Sequence, residues 1–260
     1  MNKGLILSGG GMRGIAHIGA IKALEELGYS PTHIAGTSSG AIVGALYAQG
    51  YNSEEILEFF KTAQIFNLTN FALNKPGFID SEKLYESFKS YLPEDNFNSL
   101  KKHLFITATN LLDGTLEIFN QGALIKAILA SSAFPGIFTP VIFNGNTYID
   151  GGTVNNFPVD ILKGKCHKII GIYLSQFQIL EKNNLKYSFS ILERAFQIKS
   201  AHISMQKFAD CDLIIFPKDL KNYGTFYLKN ADAIYKLGYE SAMKALKSKK
   251  GMELLHTTES

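Results

Sequence analysis

Tryptophan is absent from this 260-residue sequence, and cysteine is almost absent. The two cysteines, Cys166 and Cys211, form no C-x-x-C pair. A sequence of this kind offers neither a disulfide framework nor a zinc site. We therefore expect a reducing, cytoplasmic setting, and we expect neither a metal ion nor an organic cofactor.

Long apolar runs are also missing from the sequence. None approaches the roughly 18 apolar residues that a membrane-spanning helix requires. The first apolar run, at residues 4–7, is far shorter than the apolar core of a signal peptide. These absences predict a soluble protein without a transmembrane segment, whose contact with a membrane is peripheral.

Charge of one sign is scarce as well, because 26 basic residues stand against 23 acidic ones for a net charge of +3. This excess is too small to indicate nucleic-acid binding. Hydrophobic residues make up 46% of the chain, with 19 Phe and 12 Tyr, and are ample for one sizeable core. No repeat or low-complexity linker interrupts the chain. We predict a single domain over residues 1–250 and a polar tail over 251–260, and the oligomeric state stays open.

The first part of the chain alternates apolar strands with helical patterns. Strands are expected at residues 5–8 and 33–35, and helices at 15–27 and 39–49. This alternation is typical of a parallel sheet with helices on both faces. The pattern predicts an α/β fold class.

Later segments add hairpins, further strands and further helices. An Asp113-Gly114 turn joins strand 104–109 to a hairpin partner at 116–119, and Asn144-Gly145 joins 141–143 to 147–149. Further strands are expected at 169–174 and 213–216, and helices at 124–130, 187–208 and 231–247. The helix at 187–208 is expected to carry one apolar side, formed by Phe189, Leu192, Phe196 and Ile203.

Residues 51–92 are helical in pattern and unusually rich in Phe and Tyr. Most of these rings are expected to pack on the sheet, as buried aromatic side chains commonly do. A second hypothesis takes the loop 67–78, which Pro76-Gly77 interrupts, as a lid or as the mouth of an acyl-chain pocket.

Two glycine-rich turns follow the first two strands, and each begins a helix. The second turn, Gly36-Thr37-Ser38-Ser39-Gly40, has the G-x-S-x-G spacing of a nucleophile elbow, in which a strained turn exposes the serine hydroxyl. The first turn offers backbone N–H groups at a helix N-terminus, which is an anion site. It consists of Gly9, Gly10, Gly11, Met12, Arg13 and Gly14. A serine beside an anion site is what acyl transfer requires.

The first turn also satisfies G-x-G-x-x-G, the dinucleotide fingerprint. That function needs an acidic residue at the end of the second strand, where this chain has Gly36-Thr37-Ser38. A phosphate-binding P-loop fails too, because Ile15 and Ala16 stand where Lys and Ser or Thr are required. A non-catalytic nucleotide- or anion-binding module that uses this turn remains the alternative function.

A serine nucleophile needs a base. In the chain order serine, acid, histidine, the candidates are His167, His202 and His256, and none lies in an obvious catalytic loop. The other candidate is Asp150, which ends a strand and precedes Gly151-Gly152. A carboxylate near its usual pKa is a weak base, so burial would have to raise the pKa of Asp150. A simple Asp-Gly turn is the alternative interpretation.

Four blocks together resemble the patatin-like phospholipase family: residues 9–14, 36–40, the run ASSAFP at 130–135, and Asp150-Gly151-Gly152. They occur in the family's order and cover about residues 4 to 160, while beyond Lys163 the likeness is only general. The resemblance implies a three-layer α/β/α sandwich with a mostly parallel sheet and a Ser-Asp dyad without histidine. It also implies Ser38 as nucleophile, Asp150 as base, and the first glycine turn as oxyanion hole, chiefly through the Gly10 and Gly11 amides.

The expected activity is then that of a lipid acyl hydrolase that forms an acyl-enzyme on Ser38. Phospholipids or lysophospholipids at a membrane or micelle surface are the expected substrates. Arg13 is unusual for a first helical turn, because a cation there opposes the helix dipole. It either pairs with a structural carboxylate or helps to hold a phosphate head group.

Overall fold

A computed structural model describes residues 1–63, 77, 79–175, 188–224 and 230–256 of the chain. Within these ranges eight strands form one sheet in the order β5-β6-β3-β2-β1-β7-β8, with β4 paired to β3. The strands are β1 (Lys3–Leu7), β2 (His33–Thr37), β3 (His103–Asn110), β4 (Leu116–Phe119), β5 (Val141–Phe143), β6 (Asn146–Asp150), β7 (Lys168–Ile172) and β8 (Leu213–Ile215). The helices are α1 (Ile15–Glu26), α2 (Ser39–Gln49), α3 (Ser53–Thr62), α4 (Tyr85–Lys89), α5 (Leu124–Ser132), α6 (Ser188–Gln206), α7 (Ala231–Leu246) and α8 (Lys249–His256).

The centre of the sheet is parallel, and one side of it is antiparallel. β1 pairs in parallel with β2 and β7, β2 with β3, and β7 with β8. β3 pairs antiparallel with β4, and β5 with β6, in the two predicted hairpins, and β3 also pairs antiparallel with β6. The predicted mostly parallel sheet between helical layers is confirmed. Because β1 and β2 are parallel neighbours, the turns that follow them lie side by side at the carboxyl ends of the parallel strands.

The two faces of the sheet bury separate hydrophobic clusters, because successive strand residues point to opposite sides. Leu5 and Leu7 join the larger cluster, which includes residues of α1, α2, α5 and α7. Ile6, between them, joins a smaller cluster with Phe157 and Tyr173. The larger cluster lies on the side from which α1 and α2 support the two glycine turns.

Helices α1 and α7 cross in close contact. A Cβ atom built on Gly19 would lie 2.0 Å from the Tyr235 carbonyl oxygen, and one on Gly238 would lie 2.0 Å from the Ala16 carbonyl oxygen. Glycine at both positions therefore allows the two backbones to touch. This contact holds α1, whose first residue follows the first glycine turn.

Helix α6 buries only part of the predicted apolar side. Leu192, predicted to lie on that side, is 68% exposed, whereas Phe196 is half-buried. Ser200, Ala201 and Ser204 are also buried. The Lys199 ammonium connects the helix to the segment after β6 by donating a hydrogen bond to the Thr153 carbonyl oxygen (3.0 Å). The side chain predicted at residue 189 lies outside the described part of the chain.

Other expectations concern the loop 67–78 and the end of the chain. The proposed lid loop lies outside the described residues, apart from Gly77. At the end of the chain, where the sequence predicts a polar tail from residue 251, α8 continues to His256 and buries Leu254. Across the described ranges, no helix combines the length and apolar character needed to cross a membrane.

Candidate active site

The turn after β2 holds Ser38 in a backbone conformation that non-glycine residues rarely adopt, with φ of 55° and ψ of −124°. The glycines on either side permit this turn. A Cβ on Gly36 would lie 2.5 Å from the Gly40 carbonyl oxygen, and a Cβ on Gly40 would lie 2.2 Å from the Leu7 carbonyl oxygen. The predicted elbow geometry of G-x-S-x-G is therefore present, with Ser38 at its tip and α2 beginning at the next residue.

Asp150 is the last residue of β6 and is 2% exposed. Its Oδ1 accepts a hydrogen bond from the Gly152 N–H at 2.7 Å. Burial raises the pKa of Asp150 to about 6, and the neighbouring Ser38 hydroxyl and the Gly152 N–H oppose that rise by stabilising the charged form. The structure thus brings the two predicted residues next to each other.

The end of α5 joins the serine turn to the aspartate. Ser131 Oγ accepts the Ser38 N–H at 2.8 Å, and the Ala133 carbonyl oxygen accepts the Asp150 N–H at 3.0 Å. Both residues belong to the ASSAFP run. This short segment therefore sets the distance between the two side chains.

A pair of buried threonines makes a second connection. Thr37 Oγ1 and Thr107 Oγ1 are 2.6 Å apart, and Thr37 Oγ1 also donates to the Asn155 carbonyl oxygen at 3.0 Å. The predicted base loop, Gly151-Gly152, also packs against Thr107, since a Cβ on Gly151 would lie 2.3 Å from the Thr107 carbonyl oxygen. The serine turn and the base loop thus both contact β3 at this residue.

The first glycine turn becomes a short 3-10 helix, Gly11–Gly14, that leads directly into α1. Gly11 has a φ of 59°, which favours glycine. The first N–H groups of a helix lack intrahelical acceptors, so the Gly10 and Gly11 amides are the candidate oxyanion donors. The Gly9 N–H already donates to the Asn156 carbonyl oxygen at 3.2 Å.

Two further residues of the predicted turn have packing contacts. Met12 is 2% exposed and belongs to the larger core cluster. Gly14 faces Ser39, since a Cβ at this position would lie 2.5 Å from the Ser39 Cβ. The oxyanion role of the turn, chiefly through the Gly10 and Gly11 amides, stays a prediction.

Ser38 and Asp150 lie in a cleft of about 900 Å³, counting its open mouth. Gly9, Gly10, Gly11 and Arg13 line it beside the serine. Another part of its wall is apolar and comes from residues of the larger core cluster, namely Ile42, Phe60, Leu84, Phe88, Leu129 and Phe138. Helix α6 contributes Glu193, Phe196, Gln197 and Ser200. The cleft therefore combines a compact polar site with an apolar wall.

The family model for patatin-like phospholipases matches residues 5–163, which is more than half of the chain. This chain belongs to the patatin-like phospholipase family. Every block that carries the resemblance in the sequence lies inside the matched range.

Relatives of this patatin-like chain include two fungal proteins. Lysophospholipase NTE1 of Meyerozyma guilliermondii is 27% identical over 267 residues, which cover 91% of this chain and 18% of that protein. Lysophospholipase NTE1 of Kluyveromyces lactis is 35% identical over 177 residues, which cover 64% of this chain and 12% of that protein. The chain therefore spans less than a fifth of the length of these relatives.

Two solved structures share the patatin-like fold. VipD from Legionella pneumophila superposes with a TM-score of 0.58 at 16% identity, over 94% of this chain and 66% of that one. The type III effector ExoU superposes with a TM-score of 0.53 at 16% identity, over 99% of this chain and 54% of that one. At this identity, the likeness shows a common fold.

Histidine does not line the cleft of this patatin-like protein among the described residues. His167 donates its backbone N–H to Asn2 near the amino ends of the strands, and His202 is exposed on α6. The side chain of His256 lies outside the described part of the chain. Across the described ranges, no three His, Cys, Asp or Glu side chains are grouped closely enough to hold a metal ion.

Arg13 is 6% exposed and lines the cleft. Its Nε donates to the Gly10 carbonyl oxygen at 3.3 Å, and the negative charge of Glu193 favours the charged guanidinium. Burial acts in the other direction and lowers the pKa of Arg13. Arg13 thus touches the glycine turn on one side and faces a carboxylate on α6, so the geometry agrees with the structural interpretation.

Several residues contact the site although the sequence motifs assign them no role there. Asn156 accepts the Gly9 N–H through its carbonyl oxygen, and Ser131 accepts the Ser38 N–H. Ser131 belongs to the ASSAFP run, one of the four blocks that carry the family resemblance, so the sequence contains an indication of its importance. Asn156 follows the base loop by only a few positions, but nothing in its sequence context indicates a contact with a turn so distant along the chain.

His17 is another residue that the sequence motifs do not assign to the site, because its position in a helical pattern does not indicate a contact with Ser8. Its Nε2 lies 2.7 Å from the Ser8 carbonyl oxygen, directly before the glycine turn. Since a carbonyl only accepts, the proton of the neutral ring lies on Nε2. Nδ1 has no hydrogen-bond partner among the described residues, and burial lowers the pKa of His17 to about 4.

Proposed function

We propose that this chain is a serine-dependent lipid acyl hydrolase of the phospholipase A or lysophospholipase type, with Ser38 as nucleophile and Asp150 as base. The observation that carries this proposal is that the Ser38 side chain lies beside the buried Asp150 carboxylate in a partly apolar cleft. The names of the family and of its fungal relatives agree with lipids as the substrate class.

The arrangement suits acyl transfer in two steps. The Ser38 hydroxyl oxygen attacks the ester carbonyl carbon while Asp150 accepts the hydroxyl proton. Negative charge then develops on the carbonyl oxygen, where the Gly10 and Gly11 amides can donate to it. Collapse of the intermediate breaks the ester bond, and the leaving alcohol takes the proton from Asp150. Water, activated by the same carboxylate, hydrolyses the acyl-enzyme and releases the fatty acid.

The apolar wall of the cleft supports a fatty acyl substrate. Burying an acyl chain against Ile42, Phe60, Phe88 and Leu129 removes apolar surface from water, which is favourable at roughly 25 cal/mol per Å². The glycerol and head group would stay on the polar side, near Arg13. We therefore propose glycerophospholipids and lysophospholipids as substrates.

The alternative is a non-catalytic nucleotide- or anion-binding module. The buried Asp150 carboxylate beside the glycine turn disfavours it, because a negative side chain repels a bound phosphate. The apolar wall has no role in that alternative either.

A fluorophosphonate probe and fatty-acid release from a lysophospholipid test the proposal together. Ser38→Ala should lose labelling and reduce turnover by at least about a thousandfold, because it removes the nucleophile. Ser39→Ala is the matched control. It alters the adjacent serine, whose buried Oγ has no hydrogen-bond partner among the described residues, so labelling should persist.

Asp150→Asn tests the base separately. The substitution keeps an oxygen for the Gly152 N–H but removes the proton acceptor, so turnover should fall by at least about a hundredfold. If Asp150→Asn kept near wild-type turnover while His202→Ala abolished it, the assignment of the base would be wrong.

A further inference from the structure

Helix α6 carries an exposed apolar face, although it packs on the protein with its other side. Ile191, Ile198 and Met205 are 54%, 46% and 57% exposed. They follow one another at intervals of seven residues, which places them on one side of the helix, two turns apart. We call these three residues the outer face of α6.

The opposite side of the same helix lines the catalytic cleft. Phe196 packs edge-on against Phe134 with ring centroids 5.0 Å apart, and Gln197 and Ser200 also line the cleft. The outer face is therefore separated from the candidate active site by the thickness of one helix. Whatever binds the outer face lies next to the cleft.

The charge beside the outer face is positive. Lys199 is exposed on α6, whereas Glu193 faces the cleft. No acidic side chain is among the exposed residues of α6 in the part of the helix that the structure describes. An apolar face beside a basic side chain matches an interface of anionic lipids, in which the apolar groups enter the acyl boundary and the cation meets the head groups.

A second group of exposed apolar side chains lies at the carboxyl ends of the parallel strands. Leu111 and Leu112, at the turn that follows β3, are 50% and 70% exposed. β3 runs parallel to β2, with Thr107 paired to Thr37, so this turn extends from the same end of the sheet as Ser38. Two groups of exposed apolar side chains at one end of the sheet suit a broad surface such as a lipid layer better than a narrow peptide.

We propose that the outer face of α6 docks this protein on anionic lipid surfaces and so places the mouth of the cleft against its substrate. The inference rests on the proposed function for its substrate, but the docking itself does not require catalysis. It names the surface and the partner that the substrate class leaves open.

Binding to vesicles of phosphatidylcholine mixed with phosphatidylglycerol tests the docking directly. Co-sedimentation in the Ser38→Ala background keeps the lipid intact. Combined Ile198→Gln and Met205→Gln should weaken binding by at least about tenfold, because both substitutions remove apolar groups from the interface. Met252→Gln is the matched control, since Met252 is also exposed (46%) but lies on α8. Close to Met252, the Leu254 carbonyl oxygen accepts a hydrogen bond from the Lys168 ammonium. Lys168 begins β7, so this contact lies at the amino ends of the parallel strands, opposite to Ser38.

Turnover separates this inference from the proposed function. The Ile198→Gln and Met205→Gln variant should hydrolyse a monomeric short-chain ester like wild type, yet hydrolyse vesicle phospholipid at least about tenfold more slowly. Equal vesicle binding by this variant and wild type would overturn the docking surface and leave the hydrolase intact. A shift from dimer to monomer in the variant, without loss of vesicle binding, would assign the face to a second copy. Absence of turnover on every ester by wild type, with vesicle binding retained, would overturn only the proposed function.

Discussion

Asp150 shows how one side chain can meet opposing demands. Its carboxylate is almost completely buried, which favours the neutral acid, yet the Gly152 N–H donates to it and the Ser38 hydroxyl lies beside it, and both favour the anion. The balance leaves the pKa of Asp150 at about 6. A base with this pKa is charged at neutral pH and is stronger than an ordinary carboxylate.

We therefore expect kcat/KM to fall tenfold for each pH unit below about 6, because the protonated Asp150 cannot accept the Ser38 proton. The measurement is the pH profile of ester hydrolysis on a soluble substrate, with samples returned to neutral pH to show that the loss is reversible. A profile with no acid limb between pH 5 and 7 would contradict the proposed base.

The helices of this protein position the site through close backbone contacts. The first glycine turn leads into α1, and α1 is held by α7 where Gly19 and Gly238 let the two backbones meet. The end of α5 acts in a similar way, since Ser131 and Ala133 hold the serine turn and the aspartate. Small residues at these crossings thus matter more than helix propensity.

Gly238→Ala tests this at the level of the helix pair. Helix propensity alone would make alanine more stable than glycine by about 1 kcal/mol. We expect the opposite, a loss of roughly 1–3 kcal/mol in the free energy of unfolding, because the new Cβ would overlap the Ala16 carbonyl oxygen. Urea denaturation measures the change, with Glu240→Ala on the exposed side of α7 as control. A Gly238→Ala variant more stable than wild type would show that α1 and α7 are farther apart at Gly238 than the 2.0 Å approach to the Ala16 carbonyl oxygen indicates.

Two buried titratable groups give the whole molecule opposing responses to acid. The pKa of His17 is lowered from 6.5 to about 4, so the unfolded chain binds a proton between these values that the folded protein refuses. His17 therefore costs roughly 3 kcal/mol of stability as the pH falls through this window. The pKa of Asp150 is raised from 3.8 to about 6, so the folded protein binds the extra proton, and stability rises by roughly 3 kcal/mol as the pH falls from 6 to 3.8.

The two contributions nearly cancel between about pH 4 and 6 in the wild-type protein. We expect His17→Gln, which keeps a donor for the Ser8 carbonyl oxygen, to gain stability relative to wild type as the pH falls. Asp150→Asn should instead lose stability relative to wild type over the same range. Urea denaturation at several pH values measures both differences. Variant and wild-type curves that ran parallel would show that neither group changes its pKa on folding.

Much of the architecture could be predicted from local patterns. The alternation of apolar strands and helices, the two hairpin turns and the spacing of the glycines each depend on neighbours within a few residues, and all three predict elements that the structure contains. The burial of individual α6 residues could not be predicted in this way. The exposure of Leu192 and the burial of Ser200 depend on which distant segments pack on the helix.

The sequence by itself determined the strained serine turn, the glycine turn beside it and Asp150 as a candidate base, because each is a local motif with its own spacing. Only the tertiary structure decided that Ser38 and Asp150 meet, that Asn156 occupies the Gly9 N–H, and that the pKa of Asp150 rises to about 6. Contact across a sheet and burial in a cleft depend on segments far apart along the chain. No local pattern encodes the distance between them.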